Sequence, residues 1–440
     1  MKKLPLHTQI IIGLVLGLVF GIVSIQFGWS PEFTTKYIKP FGTIFVNSLK
    51  MIAVPLVLAS LIVGISNLGD ISKLSRMGGK TIAVYLATTT IAITIGLLCV
   101  NIMQPGRQLP EETRENLMAL YSDNAEDSQQ RAAQEQAKGP LQPLVDVVPE
   151  NVFVSFADNR LMLQVVFVAL LIGVALLQIP RKKGQPVIDF FDGLNDVIIK
   201  IVEFIMLLAP YGVFALIATL IVELGGEDPN KAFELLYALL WYTVTVLIGL
   251  AAMMFVVYPA AFKIFTKVKY KTFFRAMRPA QLLAFSTSSS AATLPVTMEV
   301  VERDLKVSEE VTSFVLPLGA TINMDGTSLY QGVAAVFIAQ ALGLGLSVGD
   351  QLMIVLTAVL ASIGTAAVPG AGVVMLVIVL EAIGIPTAGI ALILAPDRII
   401  DMIRTVVNVT GDASVAMIVA GTEGALPEEK IRESVVGAGD

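Results

Sequence analysis

A stripe of polar and charged side chains lies in an otherwise apolar stretch near the end of the chain. Residues 399–420 are rich in Val, Ile, Met and Ala, yet they include two aspartates, an arginine and an asparagine. On an α-helix the polar members share one face. They are Asp401, Arg404, Thr405, Asn408 and Asp412. A guanidinium clamps a carboxylate through two parallel hydrogen bonds, and a carboxylate one turn away can hold an ammonium group. By charge type, the stripe suits a zwitterion with an additional acid group.

The alternative for this stripe is an ion pair between Asp401 and Arg404 that only holds helices together. A charge at membrane depth costs at least ~2.5–3.5 kcal/mol, so such residues usually face a protein interior or an aqueous cavity. The ion pair alone leaves Asn408 and Asp412 unexplained. A binding stripe is therefore the favoured interpretation.

The composition is that of a membrane protein. Of 440 residues, 55% are hydrophobic and 15% are charged, whereas a soluble domain has a charged share of about 25%. Apolar spans are predicted at roughly 7–28, 38–68, 77–103, 161–179, 192–224 and 232–264. The first span lacks a cleavage pattern and is expected to be retained in the membrane.

Cationic residues cluster in alternate connections between the spans. Arg181, Lys182 and Lys183, for example, are expected in the loop between the fourth and fifth spans. The positive-inside rule then places both termini in the cytoplasm and residues 106–158 outside. The centre of that insert, residues 111–138, is rich in Glu, Asp, Gln and Ala. It is predicted to be a mobile external loop without chemistry.

Two later segments are interrupted by small and polar residues. The first has five consecutive hydroxyl residues, 286–290, followed by Pro295, and the second has three glycines and a proline within 361–372. Each predicts two short helices that meet at a tip, a re-entrant hairpin, which is tolerated at membrane depth where protein or a water-filled cavity surrounds it. A simple helix kink is the alternative for each tip taken alone. A polar span follows each tip, which is a weak internal repeat of the kind that marks a binding site near the midplane.

The segment Asn-Met-Asp-Gly-Thr at 323–327 interrupts an apolar helix. Gly326 frees the backbone, and Asn and Asp side chains compete with helical hydrogen bonds. Exposed carbonyls, together with the carboxylates of Asp325 and Asp412, form a hard oxygen set that suits Na⁺. Catalysis is not supported, because the only histidine, His7, lies far from the serine run in the sequence and no Ser-His-Asp set is apparent.

These motifs resemble the glutamate/aspartate transporter family, the dicarboxylate/amino acid:cation symporters that include archaeal sodium/aspartate symporters and mammalian excitatory amino acid transporters. The resemblance covers about residues 5–425 and rests on four motifs, at 288–295, 323–327, 364–372 and 401–412. It implies an all-α integral membrane protein with eight transmembrane helices, two re-entrant helical hairpins and inverted repeats. It also implies a homotrimer in membrane lipid and an elevator motion of a transport core against a scaffold.

The resemblance also implies a division of the chain. Its parts are scaffold helices 1–2 at 1–76, core helix 3 at 77–105, an external loop at 106–158, scaffold helices 4–5 at 159–225, core helix 6 at 226–274, hairpin 1 at 275–305, helix 7 with its break at 306–345, hairpin 2 as the gate at 346–386, helix 8 at 387–425 and a cytoplasmic tail at 426–440.

Carried over by position, the resemblance implies that Asp401 holds the substrate amino group and Arg404 its side-chain carboxylate. Further substrate contacts are implied at Thr405, Asn408, Thr327, Ser289, Ser290, Val368 and Gly372. Three sodium sites are implied. One lies among Asp412 and the backbone carbonyls of Gly319, Asn323 and Asn408, one is closed over by the backbone of Thr321, Ser362, Ile363 and Thr365, and one lies at Tyr85, Thr88, Thr89, Asn323 and Asp325.

The chain departs from the family pattern at three positions. Ser288 stands where archaeal members have an arginine, and Met402 where mammalian members have one. Arg398 either replaces that cation or extends to the outer surface. Gln331 replaces a glutamate that mammalian members use in proton co-transport, and glutamine cannot titrate.

The resemblance thus implies a secondary active transporter of the plasma membrane, not an enzyme, with no nucleic-acid partner. It would couple inward Na⁺ movement to uptake of aspartate or glutamate by alternating access. The alternatives are a proton-coupled carrier of acidic amino acids or dicarboxylates with the same fold, and an anion-conducting channel. Members for C4-dicarboxylates or for serine and threonine lack the combination of Asp401 and Arg404.

Overall fold

The computed structural model describes residues 6–27, 31–67, 75–121, 145, 148–158, 161–225, 230–266, 268–363, 365, 367, 370–424 and 426. The regular secondary structure of these residues is helical, and none of them lies in a β-strand. The prediction of an all-helical protein is confirmed for this part of the chain.

The longer α-helices are numbered in chain order. They are α1 (Leu6–Gln26), α2 (Lys39–Asn67), α3 (Ser75–Met103), α4 (Glu111–Tyr121), α5 (Val152–Ala157), α6 (Met162–Gln178), α7 (Arg181–Gly225), α8 (Asn230–Ala252), α9 (Tyr258–Phe265), α10 (Tyr270–Thr287), α11 (Ser290–Arg303), α12 (Glu309–Ile322), α13 (Asp325–Ala341), α14 (Val348–Ile363), α15 (Ala371–Ala382) and α16 (Ile390–Thr422). A π-helical turn, Met253–Val257, joins α8 to α9.

Six helical stretches of the described residues are long and apolar enough to cross a membrane. They lie in α1, α2, α3, α7 and α16 and in the continuous run from α8 to α9. Shorter apolar helices, α6, α14 and α15, add to these. The helices therefore match the predicted apolar spans, and a set of eight membrane crossings stays a prediction.

Helix α1 packs closely along α7, because α1 presents a glycine every four residues. A Cβ atom at Gly13 would collide with the carbonyl oxygen of Pro210, and one at Gly17 would lie 2.7 Å from the carbonyl oxygen of Phe214. Small residues at this spacing let helix backbones approach in a membrane protein. Helix α7 begins earlier than predicted, at Arg181, so Arg181, Lys182 and Lys183 form its first turn rather than a loop.

Part of the insert at residues 106–158, predicted to be an external loop, is helical. Residues 111–121, expected to be mobile, form α4, whereas residues 122–144 lie outside the described residues. Leu117 and Thr113 of α4 are buried, and the Thr113 hydroxyl donates to Glu234 of α8 at 2.9 Å. The prediction was wrong for α4 because a few tertiary contacts order a segment that is polar overall.

The last third of the chain forms two helix pairs and three further helices, α12, α13 and α16. Helix α10 packs against α11, and α14 packs against α15. Between these pairs, α12 and α13 are separated only at Asn323 and Met324, so the break is shorter than the predicted 323–327. Every residue of α13 is buried, and this helix packs against α3, α14, α15 and α16. This packing brings both interrupted regions to the polar face of α16.

Candidate substrate and cation sites

A polar cavity lies where the two helix pairs, the α12–α13 break and α16 meet. Its lining residues come from the two tips, the α12–α13 break and the adjoining helices, and most are small or hydroxyl-bearing. They are Ser288, Ser290, Met324, Thr327, Thr365, Ala367, Ala371, Gly372, Asp401, Arg404, Thr405 and Asn408. Six of the residues predicted for the substrate, in addition to Arg404, therefore line a single cavity.

Arg404 is the central cation of the cavity. Its side chain is buried, and Nη2 donates to Asp401 Oδ1 at 2.5 Å. Its guanidinium carbon lies 4.6 Å from the ring centroid of Tyr330, a cation–π arrangement. Its Nη1 has no hydrogen-bond partner among the described residues. A buried arginine nitrogen without an acceptor is costly, so an anion that enters this cavity meets a ready donor.

Gly372 permits this position of Arg404. A Cβ atom at residue 372 would collide with the guanidinium group. Any larger side chain at the start of α15 would therefore displace Arg404 from the cavity wall.

Asn408 ties α16 to the start of α13. Its Oδ1 accepts from the Gly326 amide at 2.8 Å, and its Nδ2 donates to the Thr327 hydroxyl at 3.2 Å. Both first-turn residues of α13 are buried. The polar cavity and the α12–α13 break are thus connected by a single asparagine.

The tips of the two helix pairs contact each other beside the cavity. Ser288, at the first tip, has a φ of 52°, which reverses the chain between α10 and α11. The Ser289 hydroxyl donates to the Ala367 carbonyl at 2.6 Å, across from the first tip to the second. Ser289 also caps α11 by accepting from the Ala292 amide at 3.2 Å. Val368, predicted to contact substrate, lies outside the described residues.

A second polar group surrounds the Asp325 carboxylate. Its Oδ1 accepts from the hydroxyls of Thr89 at 2.8 Å and Thr88 at 3.3 Å. The Thr88 hydroxyl also lies 3.2 Å from Asn323 Oδ1. Tyr85 belongs to the same turn of α3, but its hydroxyl donates to Val315 O at 2.8 Å rather than to this group. Four of the five residues predicted for this sodium site therefore have side chains in contact with one another. They are Thr88, Thr89, Asn323 and Asp325.

Asp412 forms a third polar group on α16. Its Oδ1 accepts from Asn323 Nδ2 at 2.9 Å. Gly319 faces this carboxylate so closely that a Cβ atom there would lie 2.6 Å from Asp412 Oδ1. Asn323 thus belongs to both polar groups. Its Oδ1 lies near the Thr88 hydroxyl of the Asp325 group, and its Nδ2 donates to Asp412.

The remaining predicted sodium group joins the ends of α12 and α14. The Ser362 hydroxyl lies 3.5 Å from Ile322 O, next to Thr321, and donates to Val359 O at 2.7 Å. Thr365 is buried and lines the substrate cavity. Ile363 packs against apolar core residues. The structure brings the two helix ends together. The hydroxyls of Thr321, Ser362 and Thr365 donate to backbone carbonyls three or four residues earlier in the chain.

Three site residues escaped the sequence interpretation. The Tyr258 hydroxyl donates to Asp325 Oδ2 at 2.9 Å, and Tyr258 directly follows the π-helical turn. Tyr330 lies under Arg404, and Asp397 is a buried carboxylate one turn before Asp401. Helical spacing could have identified Asp397 and Tyr330, whereas Tyr258 has no local signal.

Arg398 does not extend to the outer surface. It is 7% exposed, and its Nη1 donates to Asp401 Oδ2 at 3.2 Å. The surface alternative for this residue is therefore wrong.

A family model described as the sodium:dicarboxylate symporter family matches residues 6–422. The chain belongs to this family. Its members are transporters rather than enzymes, so the protein is a symporter-family membrane protein with several spans.

Individual relatives span nearly the whole symporter chain. A proton/sodium-glutamate symport protein of Geobacillus stearothermophilus is 36% identical over 438 residues, which cover 99% of this chain and 98% of the relative. A proton/glutamate-aspartate symporter of Escherichia coli (strain K12) is 34% identical over 96% of this chain and 93% of the relative. Excitatory amino acid transporter 3 of Oryctolagus cuniculus is 35% identical over 92% of this chain and 82% of the relative.

Proposed function

We propose that this symporter couples inward Na⁺ movement to the uptake of aspartate or glutamate. The observation that carries the proposal is the buried pair of Asp401 and Arg404 on the wall of the cavity, with Arg404 Nη1 unpartnered among the described residues. An acidic amino acid supplies an ammonium for Asp401 and a carboxylate for Arg404. It can therefore take the place of the ion pair and leave neither charge unmatched.

Ligands that lack the ammonium or the side-chain carboxylate are disfavoured by the same arrangement. Succinate would draw Arg404 away and leave Asp401 Oδ1 without a cationic partner, although Oδ2 keeps its contact with Arg398. Serine has no side-chain carboxylate to offer Arg404. A buried charged group deprived of its partner costs about 2–5 kcal/mol or more, which corresponds to at least roughly thirtyfold in affinity. The site is thus built to reject dicarboxylates and neutral amino acids, although one relative, of Bacillus subtilis, is named a C4-dicarboxylate transport protein.

The two inner carboxylates support the sodium part of the proposal. Asp325 accepts from Thr88, Thr89 and Tyr258, and Asp412 accepts from Asn323. These donors are all neutral, so they leave the negative charges uncompensated. Hard monovalent cations prefer carboxylate, hydroxyl and carbonyl oxygens, which these groups supply. We assign up to three Na⁺ ions to the three predicted sets of residues.

Transport then follows from alternating access. The pair of α14 and α15 would act as the external gate, since its tip meets the first tip beside the cavity through Ser289 and Ala367. The elevator motion, the homotrimer, cytoplasmic termini and a plasma-membrane location remain part of the same proposal. The trimer would cover apolar side chains that are exposed on α7, among them Phe204, Leu207 and Tyr211.

Proton coupling is the second candidate, because the relatives of Geobacillus stearothermophilus and Escherichia coli carry "proton" in their names. Gln331 disfavours it at one position. It is fully buried, its Nε2 lies 3.3 Å from Gly372 O, and its amide cannot carry a proton in and out. An anion-conducting channel is less compatible with two tips that meet beside the cavity.

A competition assay tests the substrate assignment. Purified protein in liposomes takes up radiolabelled aspartate, and unlabelled aspartate, glutamate, succinate or serine is added in excess. The proposal predicts strong inhibition by aspartate or glutamate and weak inhibition by succinate and serine. Equal inhibition by succinate and aspartate would show that Asp401 does not hold the amino group.

A further inference from the structure

Asp401 is held by two arginines rather than one. Its Oδ1 accepts from Arg404 Nη2 at 2.5 Å, and its Oδ2 accepts from Arg398 Nη1 at 3.2 Å. The Gly370 amide, just before α15, lies 3.4 Å from the same Oδ2. The two arginines lie one turn before and one turn after Asp401 on α16, so each reaches a different oxygen of the carboxylate.

These two contacts have different fates when an acidic amino acid binds. Arg404 lines the cavity, and the proposed function requires it to move its contact to the substrate carboxylate. Arg398 does not belong to the cavity lining and has no such task. The Oδ1 atom of Asp401 is therefore released for the ammonium group, while Oδ2 stays attached to Arg398 and Gly370.

The charge balance of α16 gives Arg398 a second effect. Four buried charged residues lie within two turns: Asp397, Arg398, Asp401 and Arg404. Two negative and two positive charges sum to zero. Aspartate or glutamate adds a net charge of −1, and without Arg398 the same site would already carry −1 before substrate enters. Since like charges repel strongly in a poorly solvated interior, Arg398 favours a net-negative substrate.

We propose that Arg398 is a positioning and specificity-determining residue: it fixes Asp401 when Arg404 turns to the substrate, and its charge offsets that of the acidic amino acid. This inference rests on the proposed function. An ion pair that only stabilises α16 is the competing explanation, because residues three apart on a helix often pair without further effect.

The test compares charge-removing and charge-retaining variants in reconstituted protein. Arg398→Gln and Arg398→Met remove the cation, Arg398→Lys keeps it, and Arg303→Gln is the matched control. Arg303 is an exposed arginine that pairs with Glu299 and Asp304, away from the cavity. For each protein we measure the KM for aspartate at saturating Na⁺, and the Na⁺ concentration that half-saturates thermal stabilisation without substrate.

The inference predicts a loss of aspartate affinity without a loss of Na⁺ affinity. Loss of a charge-assisted hydrogen bond of about 1.5–3 kcal/mol corresponds to a rise in the aspartate KM of roughly tenfold to hundredfold in Arg398→Gln and Arg398→Met. Sodium affinity without substrate should be unchanged or higher, because a positive charge has been removed. Arg398→Lys should recover most of the aspartate affinity, and Arg303→Gln should match the unsubstituted protein.

Three results would overturn the inference. One is an unchanged aspartate KM in the charge-removing variants, and another is an equal loss of aspartate and Na⁺ affinity. The third is failure of both charge-removing variants to fold, which a purely structural ion pair predicts. If the unsubstituted protein takes up no acidic amino acid, the proposed function itself fails and the inference falls with it. Normal uptake with an unchanged KM in Arg398→Gln would refute the inference alone.

Discussion

At the scale of single residues, the two charged groups of the cavity differ in how many of their polar atoms have hydrogen-bond partners. Asp401 has donors on both oxygens, whereas Arg404 uses Nη2 for Asp401 and leaves Nη1 without an acceptor among the described residues. The cavity therefore attracts an anion at one end, and it offers a carboxylate to an ammonium only after Arg404 has moved. Because Arg404 Nη1 is the atom without a partner, we expect the anionic group of the substrate to bind before its ammonium group.

Arg404→Ala should strongly weaken the binding of acidic amino acids. Removal of one partner of a buried charge pair costs about 2–5 kcal/mol, so the aspartate affinity should fall by at least roughly thirtyfold. A neutral amino acid gains access, because the truncated side chain leaves space and Asp401 still holds an ammonium. Uptake of labelled aspartate and serine measures both effects. Unchanged aspartate affinity in this variant would refute the role of Arg404.

Thr89→Val should lower the apparent affinity of the transporter for Na⁺. Thr89 is buried and donates to Asp325 Oδ1 at 2.8 Å, so the isosteric valine removes one oxygen from the proposed cation site. We expect several-fold more Na⁺ for half-maximal uptake, with a near-normal aspartate KM at saturating Na⁺, since the net effect of one hydrogen-bonding group is about 0.5–1.5 kcal/mol.

The neighbouring Thr90 provides the control for this variant. It is exposed, and its hydroxyl donates to Leu86 O within α3. Thr90→Val should therefore leave the Na⁺ dependence unchanged. If both valine variants shift it equally, the hydroxyl of Thr89 has no specific role in cation binding.

At the scale of elements, the proposed gate depends on the contact between the two tips. Ser289 is the only described residue at the first tip whose side chain donates a hydrogen bond to the second tip, through Ala367 O at 2.6 Å. The contact involves one side chain, so it can break and form again at modest cost in free energy. A single hydrogen bond of this kind suits a gate that opens in each transport cycle.

Ser289→Ala should make closure of this gate less favourable. Loss of one hydrogen bond of about 0.5–1.5 kcal/mol predicts a roughly twofold to tenfold rise in the aspartate KM. Ser286→Ala is the control, because Ser286 is exposed and bonds to Leu282 O of its own helix. Uptake kinetics of the two variants, measured side by side, decide the matter. Identical kinetics would mean that the Ser289 contact does not contribute to closure.

The elements that the sequence predicted best are those whose cause is local. The hydroxyl run predicted a tip, and the chain reverses at Ser288 with a left-handed backbone. Gly326 and its neighbours predicted a break, which occurs at Asn323 and Met324. The elements it missed depend on partners far along the chain. Helix α4 is ordered by contacts such as that of Thr113 with Glu234.

The same distinction holds inside the candidate site. The polar stripe of α16 is visible in sequence because helical spacing places Asp401, Arg404 and Asn408 on one face. Tyr258 reaches Asp325 from α9, which follows a π-helical turn and packs against α16, a placement that no local sequence pattern indicates. The direction of Arg398 could not be predicted either, since its helix position allowed both the surface and the interior.

At the scale of the whole molecule, the substrate cavity and the cation groups are linked through the start of α13. Asn408 holds Gly326 and Thr327, and the adjacent Asp325 holds α3 through Thr89. A cation that orders Asp325 therefore also orders the wall of the substrate cavity. Thermodynamic linkage requires the effect to be reciprocal, so substrate must raise the affinity for Na⁺ by the same factor.

Thermal unfolding of the purified protein measures this coupling. Aspartate should raise the Tm clearly in NaCl and little in choline chloride of the same ionic strength. A ligand at a hundred times its Kd stabilises the folded state by about 2.7 kcal/mol, which is a readily measured shift. Equal shifts in both salts would show that the two sites are independent, which contradicts the linkage through α13.

The central claim is that Na⁺ drives acidic amino acid uptake through this site. The most direct measurement is uptake of labelled aspartate and glutamate into liposomes that contain the purified protein, under an imposed inward Na⁺ gradient or an imposed pH gradient alone. The account predicts saturable uptake with the Na⁺ gradient and none with the pH gradient alone. Uptake with the pH gradient alone would contradict the assignment of Na⁺ to Asp325 and Asp412. Uptake of neither amino acid by folded protein would contradict the substrate assigned to Asp401 and Arg404.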